Sequence, residues 1–289
     1  MSKSLVSCLR LRKPCDVTTA EAAFFCSWLA DELRRLEQSL EKDSVSLKWS
    51  IQAMGFLKMM HVELLALFRN SELPISYGAE EDWFHHYMQE TATLLDFCNS
   101  LKSAVSAINR YRMVVDLTVQ ALTRDGSSIN VSKSGFERLE RGQEKTFDVK
   151  VATEAPRLGS GISTCNRKDD KGSGAIGYNS PVLQPCFDLL SAIAERFQER
   201  FSRSEGEAGL VLVEHRMVAE VVRDLKAQVV GGVVMDRELF LRGLEILRTR
   251  SIGLREGVEM FESMVDKVFD EVVRGRNEML GIFRDEALI

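Results

Sequence analysis

This chain is poor in residues that interrupt helices and in residues that carry chemistry. It has only five prolines in 289 positions, and aromatics make up 8% of it. That scarcity fits long helices better than a β-sandwich, whose strands favour aromatic and β-branched residues. There are four histidines, at 61, 85, 86 and 215, and no HExxH. The sequence also lacks a GxSxG elbow, a P-loop, and a Cys/His pair in a supporting context. Six cysteines stand at 8, 15, 26, 98, 165 and 186, with no CxxC among them. Their spacing matches neither a disulfide nor a zinc framework and reads as reduced structural thiols. No basic excess exists, since the net charge is −5, which argues against broad nucleic-acid binding. A run of about 18 apolar residues is missing, and the nearest candidate, Val229 to Met235, is far too short, so no membrane-spanning helix is expected. The first residues carry Lys3, Arg10, Arg12 and Lys13 without an apolar core. They read as a flexible tail rather than a secretory leader, with organelle targeting as the weaker reading.

What is present is helical periodicity. One stretch runs Trp83, Tyr87, Glu90, Leu94, Phe97, Leu101, Ala104, Ile108, Tyr111, Val115, Thr118, Leu122. Another runs Leu247, Ser251, Leu254, Val258, Phe261, Val265, Val268, Val272, Gly275, Met279, Ile282. Spacing of three and four residues keeps one seam turned toward a partner helix, and each seam is roughly 50–60 Å long. The expected fold is all-α, an elongated antiparallel bundle of long, coiled-coil-like helices. Gly275 on the second seam reads as a point of close helix approach.

The expected organisation is a tail at 1–17, N-terminal helices over 18–122, a disordered linker at 123–181 and C-terminal helices over 182–289. Thr18 and Thr19 precede a first helix with Cys26, Leu29, Leu33, Leu36 and Leu40 on one face. Asp43 to Ser46 form a turn, and a second helix from Leu47 buries Ile51, Met54, Leu57, His61, Leu64 and Phe68. A loop from Asn70 to Gly78 leads to a third helix opening on Glu80, Glu81 and Asp82. Antiparallel pairing of the second and third helices would bring Phe68 level with Trp83, Met54 with Phe97, and His61 with Glu90. Two facing polar groups would then satisfy each other. The linker is rich in Gly and Ser, with a short helix expected over Phe136 to Lys145. Helicity resumes at Val182 with Phe187, Leu190, Ile193, Phe197 and Phe201. Another helix is expected over Glu207 to Val230, ended by Gly231-Gly232. Asp236 starts the last helix, with a bend or break expected near Ser251 to Gly253.

The remaining motifs are weak. Gly172 to Gly177 satisfies GxGxxG but follows a charged run and precedes Asn-Ser-Pro, the wrong context for a dinucleotide site. His85, His86 and Glu90 offer an i, i+4 pair, too few ligands for a metal. Asn130-Val131-Ser132 matches a glycosylation sequon by chance, and Cys165 has no activating neighbour. Arg248, Arg250, Arg255, Arg274, Arg276 and Arg284 alternate with acids along the last helix and read as a solvated face laced with salt bridges. No catalytic, cofactor-binding or metal-ligating residue is assigned. The rival reading, an enzyme-like modulator of metabolite synthesis with a pocket between the helices, would have to draw on His61, Glu90 and Asp96.

Several segments carry a family resemblance: Ser46-Leu47-Lys48-Trp49, His61, Leu73-Pro74-Ile75-Ser76, Asp82-Trp83, Tyr87, Leu94 to Asn99, Val265 to Phe269 and Val272 to Asn277. In order and spacing these resemble the plant BYPASS family over roughly residues 18–122 and 182–289. The resemblance implies an all-helical, non-enzymatic protein of root and shoot development that restrains a mobile root-derived signal. It also implies ties to secretion and membrane-peripheral complexes. It supplies no catalytic residue and no cofactor. The expectation is a helical module with protein partners, cytoplasmic and in contact with a membrane surface at most peripherally.

Overall fold

In the computed structural model the described residues are 16–40, 45–70, 81–124, 191–192, 195, 212–230 and 233–286. They form α1 (Asp16–Gln38), α2 (Leu47–Asn70), α3 (Glu81–Arg124), α4 (Val213–Ala227), β1 (Val229–Val230), β2 (Val233–Val234) and α5 (Arg237–Glu286). The all-α bundle expected from periodicity is what forms. Its spine is α5, whose 50 residues extend roughly 75 Å. Helices α2, α3 and α4 each pack on α5, and α1 packs on α2.

Helices α2 and α5 each start with a side-chain cap. Ser46 Oγ accepts the Trp49 amide at 3.1 Å at the start of α2. Asp236 Oδ1 accepts the amides of Glu238 and Leu239, both at 3.0 Å, at the start of α5. Each cap satisfies donors that a helix N-terminus would otherwise leave orphaned. The α2 terminus is also tied to the C-terminal half of the chain. The Leu47 amide donates to the Glu214 carboxylate, and Val45 bridges to Leu212. A carboxylate at a helix N-terminus is favourably placed.

The long seam of α5 is buried as read: Leu247, Ser251, Leu254, Val258, Phe261, Val265, Val268, Val272 and Met279 are all in the core. On α3, Tyr87, Leu94, Tyr111, Val115, Thr118 and Leu122 are buried, whereas Phe97, Leu101 and Ile108 are half-buried. Cys98, Val105, Ala107 and Val119 are buried beside them.

Four expectations need correction. First, α2 and α3 do not form a hairpin packed along its length, because α5 lies against both. Gly55, at the middle of α2, faces Met264, and Gly257 faces Leu47, so α2 runs in the same direction as α5. Helix α3 runs the opposite way, with Lys102 paired to Asp266 at 2.7 Å and Asp116 bonded to Ser251. Second, α5 has no break at Ser251 to Gly253. Ser251 is buried, and its hydroxyl donates to Asp116 Oδ1 at 2.6 Å, while Gly253 faces open space. One glycine on a solvated helix face costs only about 1 kcal/mol and does not stop a helix held by its neighbours. Third, α4 ends at Ala227, before the glycine pair, and the valines on either side of residues 231–232 pair as a minimal antiparallel ribbon, Val229 with Val234 and Val230 with Val233. β-branched residues suit that conformation. Fourth, Leu47–Arg69 is long and apolar enough to cross a bilayer by length and composition. In this structure it is a core helix that buries Leu57, His61, Leu64 and Leu65.

The expected linker begins two residues inside α3, which runs to Arg124. The rest of it lies outside the described residues, as do the helix over Phe136 to Lys145, the sequon, the GxGxxG segment and Cys165.

Candidate functional site

The polar groups of the core gather in two places along α3. Nearer its N-terminus, His61 of α2 is 2% exposed. Its Nε2 lies 3.1 Å from the Tyr87 hydroxyl, and the two rings stack at a centroid distance of 6.1 Å. Phe68 meets the same tyrosine edge-on at 5.9 Å. These side chains converge because α5 presents Gly275. A methyl group built there would come within 2.5 Å of His61 Cε1, 2.6 Å of Leu65 Cδ1 and 3.0 Å of the Tyr87 hydroxyl. The missing side chain is the room in which the imidazole sits, which bears out the close approach read at Gly275.

Burial pushes the His61 pKa down from 6.5 to about 4, with Glu271 opposing and Arg274 reinforcing the shift. Glu271 and Arg274 carry opposite charges, so their effects on His61 oppose, and they pair with each other. The ring is therefore neutral near pH 7. Its Nδ1 is buried with no hydrogen-bond partner among the described residues. One turn further along, Arg276 donates to the Met88 carbonyl and, at 2.6 Å, to Thr91 Oγ1. Thr91 in turn donates to the Tyr87 carbonyl at 2.6 Å.

The second gathering lies 24 residues further along α3. His215 of α4 is 4% exposed and packs on Tyr111 with ring centroids 4.7 Å apart. Burial alone lowers its pKa to about 4, and burial pushes the Tyr111 hydroxyl up to about 12. Next to it, Arg112 holds Asp116 at 2.7 Å, and Asp116 accepts from Ser251.

The expected His61–Glu90 pair is not formed. With α5 lying against both α2 and α3, their register is not set by direct packing, and Tyr87, about one turn closer to the start of α3, takes the place assigned to Glu90. Glu90 is half-buried and Asp96 exposed, so the trio that a bundle pocket would need is not assembled. His85 is exposed. Among the described residues, no group of three or more His, Cys, Asp or Glu side chains could hold a metal ion. Cys26 and Cys98 are buried and not in disulfides. Burial pushes the Cys98 thiol up to about 11, the reverse of activation. Sequence reasoning missed Tyr87 as the histidine's partner and missed the Ser251–Asp116 bond. It also left His215 without a partner, although a histidine at helical spacing from Val218, Ala219 and Val222 already marked an inward face.

The arginines of α5 are largely engaged. Arg255 lies 3.9 Å from Glu259, Arg274 pairs with Glu271, and Arg276 is turned into the α3 contact. Large apolar side chains are exposed along the first half of this helix: Leu239, Leu241, Ile246 and Ile252, with Met260 beyond them.

A bundle with buried polar pins and exposed apolar side chains on its central helix defines the class, an all-α protein whose distinguishing surfaces are helix faces. The chain is 28% identical over 137 residues to UPF0496 protein 4 of Oryza sativa subsp. indica, 47% of this chain and 29% of that protein. It is 28% identical over 106 residues to the Arabidopsis thaliana protein BPS1, chloroplastic, 37% of this chain and 30% of that protein. The chain thus spans less than a third of the length of the curated relatives it matches. No family model matches, and no solved structure matches. The BYPASS resemblance read from the residues is supported by the match to BPS1.

Proposed function

We propose that this protein is a non-enzymatic plant developmental regulator. It works as a helical protein-interaction module, and it restrains a root-derived mobile signal as the BYPASS resemblance implies. The observation that carries the module reading is that Leu239, Leu241, Ile246, Ile252 and Met260 are all exposed, spread over the side of a long helix that faces away from its buried seam. Exposed apolar side chains on a rigid helix are the usual anchors of helix-mediated contacts. The test is site-specific photo-crosslinking in root tissue, with the crosslinker at Ile246 or at exposed Asp270. The reading expects a discrete protein adduct from position 246 that Ile252→Glu abolishes. Equal labelling from both positions would reject it.

A second reading places the protein in an organelle or on a membrane surface. It is supported by the similarity to BPS1, a protein named as chloroplastic. Fractionation of plant cells tests it. Recovery solely in the soluble cytosolic fraction would rule it out.

A further inference from the structure

The His61 site combines three features that a purely structural contact does not need. The ring occupies a notch that exists only because position 275 lacks a side chain. One nitrogen is engaged by the Tyr87 hydroxyl, and the other is buried with no partner among the described residues. The titratable and charged groups around it are few. Tyr87 faces it from α3, Glu271 and Arg274 act on it from α5 as an opposed pair, and α1 adds Cys26 and apolar side chains to the same end of the core.

In a neutral imidazole one nitrogen donates and the other accepts, whereas in the imidazolium both must donate. Proton uptake therefore puts a positive charge on the buried ring and obliges Nδ1 to carry an N–H with no acceptor among the described residues, a state that an apolar site penalises heavily. The least costly response is for the ring to leave the notch.

We propose that the His61–Tyr87 pair over Gly275 is a proton-operated latch, and that protonating His61 releases α2, with α1 on it, from α3 and α5 at this end of the bundle. The pKa depressed to about 4 agrees with a site that keeps the ring neutral while the latch is shut. Opening restores the ring to its ordinary value near 6.5. The open fraction should therefore rise on the order of a hundredfold between pH 7 and pH 4.

The experiment is amide hydrogen exchange on the full chain across that range, corrected for intrinsic rates and read over residues 57–68. Wild type should lose protection there in that proportion. His61→Phe fills the same space and takes no proton, so protection over 57–68 should be flat with pH, while α4 around His215 still responds. Unchanged protection in wild type, or the same loss in His61→Phe, would overturn the latch. Should His61→Phe fail to fold, NMR titration of the wild-type His61 ring decides. Protonation in step with α2 opening supports the proposal, and a ring that protonates while α2 stays protected rejects it.

Discussion

The two buried histidines meet α3 at Tyr87 and Tyr111, about 36 Å apart along that helix, and illustrate two ways of closing a polar group into a helical core. His61 is held by geometry on three helices: a hydroxyl from α3, a notch in α5 and its own place on α2. His215 is held by ring packing on Tyr111, with no charged neighbour contributing to its lowered pKa. The first arrangement depends on a side chain being absent at one position, so it is intolerant of change there. The second depends on one ring packing on another, and the polar bond nearby, Ser251 to Asp116, is a separate pin. The difference shows how a bundle distributes specificity: one end is fixed by a close approach, the other by a hydrogen bond between seams.

Acid should strike both ends. Each histidine has a folded-state pKa near 4 against 6.5 unfolded, so between these values the unfolded chain binds more protons. Stability is then fully present above pH 6.5 and falls as pH drops toward 4, by on the order of 3 kcal/mol for each histidine. Urea denaturation from pH 7 to pH 4 measures the loss, and replacing either histidine with phenylalanine should remove its share. Gly275→Ala should cost about 2–3 kcal/mol by forcing His61, Leu65 and Tyr87 aside. Ser251→Ala should cost about 1–2 kcal/mol by stripping a hydrogen bond from the partly buried Asp116. Gly253→Ala, on the same helix but facing open space, should stabilise by about 1 kcal/mol. Opposite signs for the two glycine substitutions, read as shifts in urea midpoint, sharpen the comparison; equal costs would erase it.

Those two glycines also show what the sequence made legible. Gly275 lay on the seam and was readable as a close approach because helical periodicity fixes which way each position points. Ser251 and Gly253 looked like a break, because a small polar residue and a glycine two positions apart are ordinary stop signals. Only the tertiary partner Asp116, 135 positions away in sequence, turns Ser251 into a pin. The same limit hid Tyr87. Periodicity placed His61 on an inward face, but the choice between Glu90 and Tyr87 depends on where α5 lies, and no local pattern encodes that. The valine ribbon at 229–234 was masked by its glycine pair, which reads equally well as the end of a helix. On α3, Cys98 and Val105 are buried more deeply than Phe97 and Leu101.

The account rests on α5 lying against both α2 and α3. The most direct measurement is a nuclear Overhauser spectrum of the full chain at pH 7, read from the His61 ring. Cross-peaks to the Gly275 α-protons and to the Tyr87 ring are predicted. Cross-peaks to the Glu90 side chain, with none to Gly275, would mean that α2 and α3 pair directly and would contradict it.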